Sequence, residues 1–374
     1  MAQAAVQGKG LEGVVAASSA ISSIMGSTLT YRGIDIDELA ERSTFEEVVY
    51  LLWYGELPTR QQLDRLCGDL AGSRSLAPEV IDAMRRFPPE ANTMVAVRTV
   101  VSLLAFYDPL SEEMSAEANE KEARLLLARF PTIVAAIHRI RRGENPIAPD
   151  PSLNEAENFL YMLKGKRPTQ TVARIMDVAL VLHADHELNA STFAARIAAS
   201  TLSDMDSAVV AALCTLKGPL HGGANQAVME TLERIVSPDD ARGYVRDALE
   251  RKEKIMGFGH RVYREGDPRA RWLKQMSQQL SQETGNPRWF ETSRLIEEQV
   301  LKQRGLLPNV DFYSASVHMY LDIPKDLFTP IFAMSRMAGY TAHILEQYAD
   351  NRLIRPLADY VGPDRRGYVP IDER

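Results

Sequence analysis

The residues best suited to chemistry in this chain are two histidines and an aspartate in short segments rich in glycine or apolar residues. His221 stands in KGPLHGGANQAV, His260 in IMGFGHRVYREGDPRA, and Asp311 in LPNVDFYSASV. A carboxylate among apolar residues should have a raised pKa because desolvation disfavours its charged form, and such a group can act as a general base. A neutral histidine can donate a hydrogen bond to a developing negative charge. The three segments therefore indicate proton abstraction assisted by oxyanion stabilisation.

The surroundings of His221 predict a neutral ring. Pro219 before it and two glycines after it predict a sharp turn that opens directly onto a helix. The positive end of a helix dipole disfavours the imidazolium form, so His221 should act as a hydrogen-bond donor. The alternative is that His221 only caps this helix, just as Asp311 could only cap the turn that follows it.

Positive charge is concentrated after His260. Arg261, Arg264 and Arg269 follow it in a chain whose formal net charge is −7. A planar guanidinium can bind carboxylate or phosphate through two parallel hydrogen bonds, and the glycines before His260 allow backbone amides to approach a ligand. We therefore predict an anion site, although the same arginines could lie on a solvated helix face. The pattern is not the dinucleotide fingerprint, because G-x-G-x-x-G and a preceding strand are both missing.

The segment LHADHELNAST places His183 and His186 next to Asp185 and Glu187. The spacing differs from H-E-x-x-H and includes no cysteine, so we predict that His186 binds a substrate oxygen and that no metal is bound. A metal-dependent hydrolase that uses both histidines is the alternative. Three other histidines lie among helical or apolar neighbours and are predicted to be structural: His138, His318 and His343.

The bulk composition favours a globular protein. Hydrophobic residues make up 45% of the 374 residues and charged residues 25%, which is ordinary for a chain with a large core. The negative charge argues against general binding to nucleic acid or an anionic membrane, but it allows a local positive pocket. Cys67 and Cys214 have no metal or redox spacing, so we expect two buried thiols in a reducing compartment. No signal peptide or run of about 20 apolar residues is present, so a soluble cytoplasmic protein is expected.

The hydrophobic periodicity predicts an all-α fold. PIFAMSRMAGYTAHILEQYADN repeats apolar residues at three- and four-residue steps, and TVARIMDVALVLHADHE is apolar nearly all round, which is typical of a central buried helix. A short β-like piece is predicted in STLTYRGIDI, followed by a capped helix in STFEEVVYLLWYG. Loops are predicted in RRGENPIAPDPSLNEAEN, HRVYREGDPRA and GLLPNVDFYSASV, so the candidate chemistry falls between helices.

Several long motifs in one order resemble the citrate synthase family. They are LHADHELNAST, GPLHGGAN, IMGFGHRVY with DPRA, NVDFYSA and SRMAGYTAHILEQYADNRLIRP, and the resemblance covers essentially the whole chain. The length is similar to the shorter bacterial and archaeal form. The resemblance implies an acyltransferase that joins acetyl-CoA to oxaloacetate and then hydrolyses the thioester, which gives citrate and CoA at the entry to the tricarboxylic acid cycle. It implies no cofactor and no metal, because the CoA thioester is itself a substrate.

The resemblance also implies roles for the site residues. Asp311 would remove a proton from the acetyl methyl, His221 would donate to the enol oxygen, and His260 would polarise the ketone of oxaloacetate. The residues implied for oxaloacetate binding are His186, Arg269, Arg336 and, reaching in from the partner subunit of a homodimer, Arg355. The residues implied for CoA binding are Lys254, Met256, Gly257, Phe258, Gly259 and Arg264.

The family fold is all-α, with a small domain inserted into a large one. The resemblance places the large domain at residues 1–222 and 324–374 and the small domain at residues 223–323. His260 and Asp311 then belong to the small domain, so the site would be complete only when the domains close over oxaloacetate. A homodimer is expected, either alone or within a higher homo-oligomer.

Two other functions stay open at this point. 2-Methylcitrate synthase uses propionyl-CoA with the same catalytic groups, and one methylene in an apolar pocket is worth only about 1–3 kcal/mol of discrimination. A non-catalytic helical assembly protein would keep the fold without the activity, although the presence of His221, His260 and Asp311 argues against it.

Overall fold

The computed structural model describes residues 9–11, 13–109, 111–260 and 262–374, and most of them are helical. Arg261 therefore lies outside the described residues. The described chain forms 16 α-helices, a three-stranded sheet and short 3₁₀ turns, which confirms the all-α prediction. No helix in these residues has both the length and the apolar character needed to cross a membrane.

Ten helices of the described residues precede the turn that carries His221. They are α1 (Ile36–Arg42), α2 (Phe45–Tyr54), α3 (Arg60–Ser73), α4 (Pro78–Met84), α5 (Thr93–Leu104), α6 (Ala116–Arg141), α7 (Glu155–Lys164), α8 (Gln170–His183), α9 (Ala190–Ser200) and α10 (Met205–Leu216). The later helices are α11 (Ala224–Arg234), α12 (Ala241–Glu250), α13 (Pro268–Thr284), α14 (Arg288–Arg304), α15 (Val310–Tyr320) and α16 (Phe328–Ala349).

Local sequence determines where several helices begin and end. In α2 the Thr44 side chain accepts from the N–H of Glu47, and the Glu47 side chain accepts from the N–H of Thr44, so both form a capping box. The helix ends at Gly55, whose φ of +88° is the left-handed conformation that glycine adopts without a steric penalty. The capped helix predicted in STFEEVVYLLWYG is therefore confirmed.

A small antiparallel sheet precedes α1. Its strands are β1 (Ser22–Met25), β2 (Thr28–Tyr31) and β3 (Ile34–Asp35), and Ser22 pairs with Tyr31. The β-like piece predicted in STLTYRGIDI corresponds to β2 and β3, and β1 was not predicted. This sheet contacts the loop after α8, which carries His186.

The centre of the fold is α16, which is buried along most of its length and packs against α2, α6, α8, α9 and α10. Its closest approach to the loop after α8 is at Gly339. The N–H of Gly339 donates to the carbonyl of Ala184 at 3.1 Å. A Cβ at this position would lie 2.4 Å from Oδ1 of Asp185, so no larger residue fits without movement. This close contact fixes the loop from one side.

Helices α11 to α15 pack mainly on one another. Helices α11 and α13 both pack against α15, and α12 packs against α14. Contacts to the other helices are made by α13, with α1 and α8, and by α11, with α16. This grouping corresponds to the residue range 223–323 expected for an inserted domain, and that division stays a prediction.

Three loop predictions were wrong in part. The loop in HRVYREGDPRA ends at Asp267, whose side chain accepts from the N–H of Arg269 and caps α13. The segment GLLPNVDFYSASV is a loop only up to Asn309, because the Asn309 side chain accepts from the N–H of Asp311 at 3.1 Å and starts α15. Similarly, the loop RRGENPIAPDPSLNEAEN ends at Asn154, which caps α7.

The thiols were also predicted to be buried, but Cys214 is exposed and Cys67 is half-buried. Cys214 lies on the outward face of α10, beside Arg98.

Candidate active site

His186 lies in the loop between α8 and α9 and is buried. Its Nε2 is 3.0 Å from the hydroxyl of Tyr263, and its ring centroid is 5.2 Å from that of His260. Burial lowers the pKa of His186 well below its usual value, and the guanidinium groups of Arg269 and Arg336 lower it further. His186 is therefore a neutral ring among positively charged groups.

Arg269 is buried in the first turn of α13 and paired with Asp267. Its Nε donates to Oδ1 of Asp267 at 2.8 Å, and its Nη2 donates to Oδ2 at 2.7 Å. Its Nη1 is buried and has no hydrogen-bond partner in the described part of the chain. An unsatisfied guanidinium nitrogen is costly in a protein interior, so Nη1 is suited to an anionic ligand.

Arg336 is the second buried arginine, with 1% of its surface exposed in the middle of α16. Its Nε donates to the carbonyl of His183 at 2.8 Å, and its guanidinium lies 4.8 Å from the ring centroid of Phe332. The described residues place no carboxylate within ion-pair distance of it. Arg336 therefore brings a net positive charge to the same region as Arg269.

The ring of His260 has a defined orientation. Its Nδ1 accepts hydrogen bonds from the N–H groups of Val262 at 3.0 Å and Tyr263 at 3.3 Å. Because Nδ1 is the acceptor, a neutral His260 carries its proton on Nε2. Burial lowers the pKa of His260, and Arg269 lowers it further. The ring can therefore present an Nε2–H donor to a ligand.

Tyr263 is a site residue that the sequence analysis missed. It is buried, its hydroxyl contacts His186, and its ring centroid lies 4.6 Å from that of His260. The tyrosine stands in the HRVYREGDPRA motif, but its position gives no periodic or spacing signal. Only the fold of the turn after His260 reveals that it faces the loop of His186.

Asp311 lies in the first turn of α15, and its Oδ1 is buried without a hydrogen-bond partner among the described residues. Burial raises the pKa of Asp311 to about 7, against the opposing effect of Arg269 and Arg336. A carboxyl with a pKa near neutrality and a free oxygen is suited to act as a general base. The desolvation predicted from its apolar neighbours is thus present.

His221 lies in the turn before α11, as predicted, and its Nε2 is 2.7 Å from the hydroxyl of Ser191. That hydroxyl also accepts from the hydroxyl of Tyr340 at 2.7 Å. Burial lowers the pKa of His221 to about 4, and Arg336 adds to this effect. The neutral ring agrees with the sequence prediction, and burial is its largest cause.

The glycine segment before His260 is tied to the loop before α15. The N–H of Asn309 donates to the carbonyl of Gly257 at 2.9 Å, and the N–H of Gly259 donates to the carbonyl of Leu307 at 3.0 Å. Gly257 has a φ of +85°, and a Cβ there would lie 2.8 Å from the side chains of Phe312 and Val228. In this antiparallel pairing the N–H and C=O of Phe258 point away from the paired loop. The N–H and C=O of Phe258 are therefore available for hydrogen bonds with a ligand.

The remaining predicted ligand-binding residues lie at the surface or close to it. Lys254 and Arg264 are exposed, and Met256 is half-buried. Arg355 is exposed in the extended segment after α16, where it lines a cavity of about 790 Å³ together with residues of α9 and of the N-terminal segment. The structure does not bring Arg355 together with the other oxaloacetate residues of its own chain.

His183 is a buried, neutral ring in the last turn of α8. Nδ1 of His183 is 2.7 Å from the carbonyl of Ala179, which makes it the donor, and burial lowers the pKa of His183 to about 3. No group of three or more His, Cys, Asp or Glu side chains in the described ranges is placed to share a metal ion.

Six of the predicted residues are near enough to influence one another's charge and have complementary properties: His186, His221, His260, Arg269, Asp311 and Arg336. The buried arginines supply positive charge, Asp311 supplies a base, and His221 and His260 supply neutral hydrogen-bonding rings. Such a set can bind a small dicarboxylate, remove a proton from carbon and stabilise the resulting oxyanions. These are the requirements of a carbon–carbon condensation through an enol.

Comparison with known proteins gives the same indication. Residues 10–357 match a family model described as "Citrate synthase, C-terminal domain". The chain is 52% identical over 367 residues to citrate synthase 2 of Bacillus subtilis, covering 98% of this chain and 99% of that protein. It is 44% identical to 2-methylcitrate synthase of Shewanella oneidensis over 370 residues, covering 98% of each chain. It also superposes with a TM-score of 0.93 on citrate synthase from Thermoplasma acidophilum in a ternary complex with carboxymethyl coenzyme A and oxaloacetate, at 35% identity, covering 98% of this chain and 99% of that one.

Proposed function

The chain belongs to the citrate synthase family of acyl-transferring enzymes, and from this we propose that it condenses acetyl-CoA with oxaloacetate and water to give citrate and CoA. The observation that carries the proposal is the grouping of a base, two neutral histidines and two buried arginines in one site. The identity of 52% to citrate synthase 2 of Bacillus subtilis also supports this choice of substrate. The product would feed the tricarboxylic acid cycle.

The first step is removal of a proton from the methyl carbon of acetyl-CoA by Asp311. A carboxyl whose pKa lies near 7 is partly ionised at neutral pH and is a stronger base than an ordinary aspartate. The thioester oxygen becomes the enol oxygen and gains negative charge, which His221 stabilises by donating a hydrogen bond. The pKa of His221 is about 4, so its ring is neutral at pH 7 and donates the hydrogen bond as an uncharged group.

In the second step the enol carbon attacks the ketone carbon of oxaloacetate. His260 donates its Nε2–H to the ketone oxygen and supplies the proton to the new alkoxide, because Nδ1 is held by backbone N–H groups. Water then cleaves the thioester of the citryl-CoA intermediate, which releases citrate and the free thiol of CoA. Asp311, His221 and His260 thus each have one task in the proposed condensation step.

Oxaloacetate is bound as a dianion by the positive groups of the site. Nη1 of Arg269 and the guanidinium of Arg336 take its carboxylates, and His186 contacts a carboxylate or the carbonyl. Coenzyme A lies along the backbone of residues 256–259, where Phe258 offers its free N–H and C=O, and the exposed charges of Lys254 and Arg264 face its phosphates. No other cofactor is required.

We also propose the assembly that the family resemblance implies. The enzyme is a homodimer in which Arg355 of one subunit completes the oxaloacetate site of the other. The domain made of residues 223–323 closes against the domain made of residues 1–222 and 324–374 and excludes water from the reaction. The exposed position of Arg355 in its own chain supports a role in the partner's site.

A second candidate, 2-methylcitrate synthase, is favoured by the 44% identity to the Shewanella oneidensis protein of that name. The deciding assay measures kcat/KM for acetyl-CoA and for propionyl-CoA with oxaloacetate saturating. A higher kcat/KM for acetyl-CoA supports citrate synthase, and a clear preference for propionyl-CoA would replace it with the second candidate.

A non-catalytic role is tested by thiol release from acetyl-CoA in the presence of oxaloacetate. The wild-type protein should release CoA, and Asp311→Ala should release it only at the background rate. Equal background release from both proteins would mean that the fold serves another purpose. Addition of a chelator should leave the wild-type rate unchanged, whereas a loss of activity would favour a metal-dependent hydrolase.

A further inference from the structure

We propose that Glu187 is a positioning residue that fixes the direction in which the ring of His186 points, towards Tyr263 and His260. The inference rests on the proposed function for its kinetic consequences, but its structural basis is independent of the substrate. Glu187 follows His186 in the LHADHELNAST motif, and the mechanism gives it no chemical task. The carboxylate of Glu187 is bound to the small sheet and makes no hydrogen bond with the other candidate residues that the structure describes. Any effect of Glu187 on the reaction is therefore exerted through His186.

The backbone of Glu187 is in an unfavourable conformation. Its φ is +48°, in the left-handed region that residues with a Cβ rarely adopt. Neither glycine nor asparagine, the residues that most easily adopt this region, occupies the position. Such strain persists only where the surrounding contacts hold the residue in place, and it is concentrated at functional sites.

Strand β1 supplies the first set of these contacts. The side chain of Glu187 accepts through Oε1 from the N–H of Ile24 at 2.6 Å, and the N–H of Glu187 donates to the hydroxyl of Ser22 at 2.9 Å. The Ser22 hydroxyl in turn donates to the carboxylate of Asp185. Both residues that flank His186 are therefore fastened to the same strand.

Other elements hold the residues around His186 from different directions. The Tyr31 hydroxyl on β2 donates to the carbonyl of Asp185 at 3.0 Å and accepts from its N–H at 3.2 Å. On the opposite side, Nε2 of His343 on α16 lies 3.3 Å from Oδ2 of Asp185. The amide of Asn189, which caps α9, donates to the carbonyl of His186 at 3.3 Å. The backbone before and after His186 is thus fixed, and Glu187 is the strained member of this set.

The consequence for His186 follows from the geometry of the chain. If the bond between Glu187 and Ile24 is lost, residue 187 can relax to a negative φ, and this change reorients the peptide that joins it to His186. The imidazole would then lose its contact with Tyr263 and its position beside His260. A small displacement of a substrate-binding group is enough to weaken binding substantially.

The test compares Glu187→Ala with Glu187→Gln and with a matched control. Glutamine keeps the acceptor oxygen for Ile24, whereas alanine removes it and keeps the strain of a Cβ. Asp322→Ala is the control because Asp322 is an exposed acidic residue whose φ is also positive, at +53°, in the loop after α15. We expect Glu187→Ala to raise the KM for oxaloacetate about tenfold or more, with the KM for acetyl-CoA at saturating oxaloacetate nearly unchanged.

Glu187→Gln should restore the wild-type KM to within about twofold, and Asp322→Ala should leave it unchanged. A purely structural role predicts a lower melting temperature for Glu187→Ala with normal kinetics, and that result would overturn the proposal. An equal rise of the oxaloacetate KM in Glu187→Gln would also overturn the proposal. The negative charge of Glu187, and not its hydrogen bond with Ile24, would then be responsible.

A crystal structure of Glu187→Ala separates this inference from the proposed function. If His186 is displaced from Tyr263 in the variant, the positioning role stands even where the wild-type enzyme proves to use another substrate. If His186 keeps its contact with Tyr263, Glu187 does not position it, whatever the reaction. Absence of turnover of oxaloacetate by the wild type would count against the proposed function alone.

Discussion

Asp267 holds Arg269 with both carboxylate oxygens, Oδ1 at 2.8 Å from Nε and Oδ2 at 2.7 Å from Nη2, and leaves Nη1 free for a ligand. The same Oδ2 accepts from the N–H of Val310 at 3.0 Å, at the start of the helix that carries Asp311. The carboxylate of Asp267 therefore orients Arg269, the residue proposed to bind oxaloacetate. It also holds the start of α15, the helix that carries the proposed base Asp311. Burial raises the pKa of Asp267, but the ion pair with Arg269 outweighs burial and holds that pKa below its usual value.

Replacing Arg269 with lysine tests whether oxaloacetate binding requires the planar guanidinium with its three nitrogens. Lysine keeps the charge but cannot bind Asp267 with two nitrogens and a substrate carboxylate with a third. We expect Arg269→Lys to raise the KM for oxaloacetate by about two orders of magnitude, the cost of breaking a buried charged contact. Steady-state kinetics give the value, and Arg294→Lys, at an exposed ion pair with Glu291, is the control. An unchanged KM in Arg269→Lys would remove Arg269 from the binding site.

Ionisation of Asp311 should lower the free energy of unfolding at alkaline pH. Its pKa rises from an ordinary 3.8 to about 7, so the folded state binds more protons than the unfolded state between these values, and stability falls as pH rises through this range. Asp311→Asn removes the ionisation. We expect the variant to match the wild type at about pH 4 and to be more stable at about pH 8, by at most roughly 4 kcal/mol. Urea unfolding at both pH values measures this, and equal stability at pH 8 would contradict the raised pKa.

The hydroxyl of Ser191 should control which nitrogen of His221 carries the proton. It accepts from Tyr340, and its single proton has two acceptors within reach, Oδ1 of Asn189 at 2.8 Å and Nε2 of His221 at 2.7 Å. The proposed donor role of His221 requires the bond to Nε2, because Nδ1 then carries the proton that faces the substrate. We expect Ser191→Ala to lower kcat about 10- to 100-fold with little change in the KM for oxaloacetate. Ser43→Ala, which removes a buried hydroxyl bonded to the carbonyl of Leu39, should have normal kcat. A normal kcat in Ser191→Ala would show that His221 needs no such partner.

The fold class and the candidate residues His221, His260 and Asp311 could be predicted because their signals are local, whereas Arg336 and Arg355 were indicated only by the family resemblance. Helical periodicity identifies α8 and α16, and glycine-flanked turns identify His221 and His260. Desolvation of Asp311 could also be predicted, because its immediate neighbours in the chain are apolar. These features depend on residues within a few positions of one another.

Contacts between distant segments could not be predicted in this way. The contact of Tyr263 with His186 joins residues far apart in the chain, as does the bond between Glu187 and Ile24. The start of α15 differs from the prediction because Asn309 caps the helix, whereas the sequence pattern indicated Asp311 as the possible cap. The exposed thiol of Cys214 was missed because the face that a helix buries depends on its neighbours.

A contact between α1 and α13 should favour the closed arrangement of the proposed domains. The carboxylate of Asp37 accepts from Nε1 of Trp272 at 2.6 Å and from Nε of Arg271 at 3.1 Å. Its loss should cost about 1–2 kcal/mol, because one hydrogen bond and one partly exposed ion pair disappear. We expect Asp37→Ala to raise the radius of gyration of the substrate-free enzyme in small-angle scattering, and oxaloacetate should reverse the change.

The control for this contact is Glu38→Ala, which removes an exposed pair with Arg42 inside α1 and should leave the scattering unchanged. The KM values of Asp37→Ala should rise for both substrates, because each binds to a site completed by closure. A scattering profile identical to that of the wild type would mean that the contact does not influence closure.

Arg355 provides a test of the shared site. The backbone just before it is fixed, since the N–H of Ile354 donates to the hydroxyl of Ser200 at 3.1 Å, yet the side chain of Arg355 is exposed. The extended segment also exposes apolar side chains, including those of Leu357, Tyr360 and Val361, which a partner subunit would cover. Arg355→Ala should therefore raise the KM for oxaloacetate about 10- to 100-fold, and native mass measurement should still give a dimer.

Coexpression of Arg355→Ala with Asp311→Ala decides whether Arg355 acts in its own subunit or in the other. In a mixed dimer, the subunit with an intact Asp311 receives an intact Arg355 from its partner, so one site is complete and the other has both defects. Random pairing should then recover about a quarter of the wild-type sites, whereas either variant alone has none. If Arg355 acts within its own chain, no mixed dimer contains a complete site, and activity at low oxaloacetate stays at the weighted average of the two parent variants. That outcome would remove the shared-site proposal while leaving the catalytic assignment of Asp311 intact.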